Sequence, residues 1–232
     1  MRLRIRVAPA LAALLALSAV AVAVEKPSAD AIIAALKKGF AGVNDYSAQV
    51  TVTVKGPQVS INGMQMKLYF KKPSKWHIDA EQGVAMFPQG NFFGNPAEEL
   101  ATGAQATYVK SENRLGTDCH VLKISRPNAG PGAPALTLWV DKKHTVIVAA
   151  ESATESAMKT SWRYAMIDGK YYLPTEICAD LRPPGGANAN KPVKATIRFS
   201  NYKVNKGIDD KIFQSKPQTA DNGPHLRRRY RN

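Results

Sequence analysis

The residues able to do chemistry are few and scattered. The histidines are His77, His120, His144 and His225, and the cysteines are Cys119 and Cys178. A metal centre draws such ligands together at short, regular spacings, and neither HxxxH nor CxxC occurs. Cys119 and His120 are neighbours, but consecutive strand residues point to opposite faces, so they form no thiolate–imidazole dyad. There is no GxSxG elbow and no glycine loop for phosphate. Asp209-Asp210 reads as the end of a strand or the cap of a turn. The pattern points away from an enzyme and implies no cofactor and no metal.

The chemistry on offer is apolar burial. Methionines (Met64, Met66, Met86, Met166) and wide aromatics (Trp76, Phe87, Phe92, Phe93, Trp162) are spread along the chain. Methionine adapts to irregular apolar shapes, which suits a core and suits a ligand wall.

The elements that position these side chains are mainly strands. Ser28 and Asp30 open a helical pattern in which Ile32, Ile33, Leu36 and Phe40 share a face. From Tyr46 the period becomes two: Tyr46, Ala48, Val50, Val52 and Val54 alternate with polar residues. Met64, Met66, Leu68 and Phe70 repeat the pattern, Lys71-Lys72-Pro73-Ser74 turns the chain, and Trp76, Ile78 and Ala80 start a third strand. Such alternation is the mark of an antiparallel sheet with one dry face. Asn95-Pro96-Ala97-Glu98-Glu99 has the cap, proline and acids of a short helix start. Further strands are expected at Cys119–Ser125, Leu136–Asp141, Val146–Glu151, Thr160–Met166, Tyr171–Leu181 and Val193–Tyr202, with Asp168-Gly169 as a hairpin turn. That makes about nine strands and two short helices in a meander, barrel or half-barrel.

The ends of the chain have another character. Arg2, Arg4 and Arg6, an apolar run over 7–20, and Ala21-Val22-Ala23 have the order of a secretory signal cut near Ala23. The run is short and alanine-rich for a membrane span, which takes roughly 20 residues. Residues 24–217 then form the domain, and 218–232, with Arg227, Arg228, Arg229 and Arg231, a disordered basic tail. Removing the three signal arginines takes the formal charge from +14 to +11. An exported basic protein meets anionic membrane surfaces or a membrane protein partner, and no nucleic acid. Export also permits a disulfide, so Cys119 and Cys178 are either bridged or two buried thiols.

These patterns resemble the LolA-like family of periplasmic lipoprotein carriers, with its related LolB receptor and RseB-type sensors. The resemblance rests on the helix Ile32–Phe40, the strand Tyr46–Val54, and Gly63-Met64-Gln65-Met66-Lys67-Leu68-Tyr69-Phe70-Lys71-Lys72-Pro73 followed by Trp76-His77-Ile78. It extends to the hairpin Met166–Pro174 and to the closing segment Asn201-Tyr202-Lys203-Val204-Asn205 with Gly207–Phe213. Two departures are Lys72, where the carrier has an arginine that fastens its lid, and the Phe/Gly-rich stretch 83–96.

The resemblance implies a mainly β (α+β) fold: an unclosed antiparallel barrel of eleven strands, with short helices across an apolar cavity that holds acyl chains. The expected function is a periplasmic, non-enzymatic carrier of lipid or lipoprotein towards the outer membrane. The RseB-like alternative is an envelope stress sensor or scaffold that binds a protein partner. The expected ligand wall is Val50, Val52, Met64, Met66, Leu68, Phe70, Trp76, Ile78, Leu138, Val148, Trp162 and Ile197, with Lys71 and Lys72 meeting an anionic head group or the lid.

Overall fold

A computed structural model describes residues 26–57, 59–80, 104–125, 135–152, 158–181 and 191–214. The expected signal peptide, the 95–99 helix, the aromatic stretch 83–96 and the basic tail lie outside them.

Helix α1 spans Ala29–Gly39. Ser28 caps it by accepting from the Ala31 amide, Asp30 meets its positive end, and Lys37 and Lys38 meet its negative end. Its buried stripe is Ile32 and Leu36. Phe40, just beyond, packs edge-on to Phe70 at 5.8 Å.

Ten strands follow: β1 Asp45–Lys55, β2 Ser60–Lys71, β3 Lys75–Asp79, β4 Gln105–Arg114, β5 Thr117–Ser125, β6 Leu136–Asp141, β7 Ile147–Ser152, β8 Lys159–Ile167, β9 Tyr171–Leu181 and β10 Val193–Val204. All pairings are antiparallel, and the spatial order is β3-β2-β1-β10-β9-β8-β7-β6-β5-β4. The first and last strands meet in mid-sheet while, among the described residues, β3 and β4 are left as edges, so the barrel they form is not closed. A short 3-10 turn, Asp210–Phe213, follows β10 and is capped by Asp209.

The strand missing from the pattern reading is β4. Its Val109 is 51 % exposed, and a register shift between Tyr108 and Lys110 breaks the alternation there. The β4–β5 turn is Leu115-Gly116 with both φ positive, and it lacks the Asn or Asp that usually announces such a hairpin. Asp168-Gly169 has the same left-handed pair and does carry that signal.

Both cysteines are free. Cys119 is on β5 and Cys178 on β9, with β6, β7 and β8 between them. At roughly 4.8 Å per strand they are on the order of 19 Å apart across the sheet, far beyond disulfide reach.

Candidate functional site

Register places one apolar face across the whole sheet. One ladder of paired positions runs from Tyr108 on β4 through Leu122, Leu138, Ala150, Thr160, Ala179, Ala195 and Val54 to Ile61 on β2. The next ladder is Met64, Val52, Ile197, Ile177 and Trp162. Three more follow towards the opposite end, Met66-Val50-Phe199, Ile78-Leu68-Ala48 and Trp76-Phe70-Tyr46-Val204. Two clusters make up this inner face. One centres on β1 and β2; the other joins α1 to β5, β6 and β7; Trp162 packs against both.

All the expected wall residues except Val148 belong to this face. Val148 is a correction. The β6–β7 register slips between Trp139 and Val140, which makes Val148 the extra residue of a bulge. It packs on the other side of the sheet with Cys119, Val121, Trp139 and Ala149. A slip of one residue reverses the side a strand residue faces.

Burial divides the remaining wall residues. Val50, Val52, Met66, Leu68, Phe70, Ile78 and Leu138 are buried and pack as core, with Leu68 at 0 % exposure. Met64, Trp76, Trp162 and Ile197 are only partly buried. Met64, Ile197 and Trp162 share one ladder, and Val54, Ile61, Ala179 and Ala195 of the neighbouring ladder are also partly exposed. Apart from Trp76, which lies at the opposite end, these partly exposed side chains lie towards one end of the sheet. That end is where the chain runs out into 56–59, 126–135, 153–158 and 182–192.

The sequence reading missed Ile61 because a bulge intervenes. Val52 pairs with Met64 but Val54 pairs with Ile61, and Gly63 at φ 72° absorbs the extra residue. Thr160, Ala179 and Ala195 were missed because small or polar residues do not read as an apolar wall.

The opposite end is fastened by polar contacts. The Asn205 carboxamide accepts from the Asn44 amide at 2.7 Å and donates to the Gly42 carbonyl at 2.8 Å and the Tyr171 hydroxyl at 2.9 Å. Asp45 accepts from the Lys206 and Gly207 amides. Lys71 donates to the Ile208 carbonyl at 2.9 Å and pairs with Asp210 at 3.0 Å, which Lys75 also reaches at 3.1 Å. Hydrogen bonds from these two lysines hold the Asp210 carboxyl below its ordinary pKa. Lys72 donates to the Ala41 carbonyl at 2.7 Å, just beyond α1. Lys71 and Lys72 thus tie the C-terminal segment and the helix exit to the sheet.

Aromatic side chains fill the same end. Tyr46 lies 5.2 Å from Phe70 and 5.5 Å from Tyr202. The Tyr164 and Tyr202 hydroxyls donate to the Ile147 and Pro174 carbonyls, and burial pushes both phenols well above their ordinary pKa. In the β6–β7 turn Asp141 accepts from the Lys143 and His144 amides and meets His144 Nδ1 at 2.8 Å. Burial alone would raise the Asp141 pKa; the bonds from the His144 ring and the two amides outweigh it and hold the carboxyl low. His144 stacks on Tyr172 at 4.5 Å. This pair organises a turn. Among the described residues no group of three or more His, Cys, Asp or Glu is placed to hold a metal ion.

On the outer face, the Trp139 indole donates to Glu112 and the Arg114 guanidinium lies 4.5 Å over its ring while pairing with Glu151. A cavity of about 270 Å³ opens between α1 and the β4–β5 edge, lined by Asp30, Ile33, Ala34, Lys37, Ala106 and Ile124 among others.

No protein-family model matches the chain, and no curated protein matches it. Solved structures do. A Vibrio parahaemolyticus domain assigned to outer membrane lipoprotein sorting matches with TM-score 0.62 at 16 % identity, over 79 % of this chain and 94 % of that one. A DUF1329 family protein from Desulfovibrio piger matches with TM-score 0.58 at 12 % identity, over 79 % and 94 %. A LolA superfamily protein from Nitrosomonas europaea matches with TM-score 0.54 at 13 % identity, over 82 % and 98 %. At these identities the likeness shows the fold. It is the LolA-like unclosed barrel, here of ten strands among the described residues rather than the eleven the resemblance implied.

Proposed function

We propose that this chain is exported, loses its first 23 residues, and acts in the periplasm as a non-enzymatic carrier of acyl chains, belonging to a lipid or a lipoprotein. The observation that carries this reading is the partly exposed apolar band on the inner face, around Met64, Ile197 and Trp162. A sheet face this wide and unbroken needs a cover, and an acyl chain is a cover that can be loaded and released. The Vibrio parahaemolyticus domain of like fold is assigned to lipoprotein sorting, which fits the same use.

The energetics suit a carrier. Burying about 12 methylenes contributes on the order of 10 kcal/mol gross. Association and ordering take back much of that, leaving an affinity compatible with release. The excess positive charge fits delivery near anionic membrane surfaces.

The test is native mass spectrometry of the mature protein purified from a bacterial envelope, followed by organic extraction. The expected result is a bound acyl species that leaves on delipidation. Protein that is clean, and that stays clean when offered lipid, would count against the carrier and turn attention to a protein partner on the same face.

A further inference from the structure

The inner face has one polar member in its longest ladder. Thr160, on β8, is only 3 % exposed, and its hydroxyl finds no hydrogen-bond partner. Its paired neighbours are Ala150 on β7 and Ala179 on β9, and Ala195 on β10 continues the ladder. Leu138 bounds this run of small side chains on one side and Val54 on the other. Trp162, two residues along β8 on the same face, stands beside it.

A buried hydroxyl without a partner costs stability. Valine has nearly the same shape and none of that cost, and it suits a strand at least as well. A hydroxyl held here is explained if a partner arrives with the ligand. Hydrocarbon offers none, whereas an ester or amide carbonyl accepts one hydrogen bond from a threonine.

We infer that Thr160 is a binding residue for the carbonyl of an acyl ester or acyl amide, so that the linkage of the ligand, and not only its tail, is drawn onto the inner face at β8. This rests on the acyl-carrier reading and narrows it. The ligand is an acylated compound recognised at its linkage, held with the carbonyl over the Ala150–Thr160–Ala179 floor and the chain running along Ile197 and Met64.

The test uses delipidated full-length mature protein, with methyl hexadecanoate and hexadecane as probes, on wild type, Thr160→Val and Thr160→Ser. The expected result is that wild type holds the ester more tightly than the alkane. Thr160→Val should lose about tenfold in ester affinity, the worth of one such hydrogen bond, with alkane uptake unchanged; Thr160→Ser should retain the preference. Ligand-free Thr160→Val should also melt no lower than wild type, since it removes an unpaired buried hydroxyl. Ester and alkane bound alike by wild type and Thr160→Val would overturn the inference while leaving the carrier intact. A lower melting point for ligand-free Thr160→Val would show the hydroxyl already bonded and overturn it as well. Uptake of neither probe by wild type would overturn the carrier reading and this inference with it.

Discussion

The two ends of the sheet are built from the same strands and treated in opposite ways. At one end short turns join the strands, aromatic rings fill the interior, and Asn205, Asp45, Lys71 and Lys72 pin the chain on either side. At the other end the inner face changes to Ala179, Ala195, Thr160 and partly exposed Met64, Ile197 and Trp162. The difference teaches that an apolar face is not one thing. At the first end Leu68, Phe70 and Tyr46 pack as core; at the second Met64, Ile197 and Trp162 keep part of their surface exposed.

The largest predicted effect falls on the packed half. Leu68→Ala removes a fully buried side chain and should cost about 3 kcal/mol in urea unfolding. The folded fraction should still bind acyl probes as wild type does, because Leu68 is not accessible to them. Loss of binding in correctly folded Leu68→Ala would break the division between the ends.

Asn205→Ala comes next. It strips partners from the Asn44 amide, the Gly42 carbonyl and the Tyr171 hydroxyl, and places alanine at φ 52°. A loss of about 2 kcal/mol is expected, read as a lower melting temperature. An unchanged melting temperature would mean the pin contributes nothing to closing that end.

Asp141→Asn should cost about 1 kcal/mol at neutral pH. The folded carboxyl titrates below its ordinary value of 3.8, so its contribution is complete above that value and is lost as pH falls through the depressed one. The gap between wild type and variant in urea midpoint should therefore close in strong acid. A gap that stays constant from neutral pH to pH values well below the carboxyl range would contradict the assignment.

The smallest effect on stability belongs to the open half. Met64→Gln keeps length and flexibility on a partly exposed residue, so stability should change by less than about 1 kcal/mol. Binding of a long acyl chain should nevertheless weaken about tenfold, equivalent to roughly 1.4 kcal/mol.

Much of this fold could be read from periodicity. The alternation at Tyr46–Val54 and Met64–Phe70 gives β1, β2 and their inner faces, and Asp168-Gly169 gives a hairpin. What stayed hidden was hidden by bulges. The extra residue at Val109 concealed β4, the one at Gly63 concealed Ile61, and the slip beside Val148 turned that side chain outward. Sequence alternation carries no mark of an inserted residue. Nor does it distinguish core from open surface, because Leu68 and Ile197 read alike; only the packing of the two ends separates them. Thr160 was illegible for another reason: its meaning lies in the missing partner, which is a property of its surroundings.

The most direct measurement is a titration of delipidated mature protein with a fluorescent long-chain fatty acid, run side by side on wild type, Leu68→Ala and Met64→Gln. Saturable uptake by wild type, retained by the folded fraction of Leu68→Ala and weakened in Met64→Gln, is the predicted result. No uptake by folded wild type would contradict the claim that the open half of the inner face is a ligand surface.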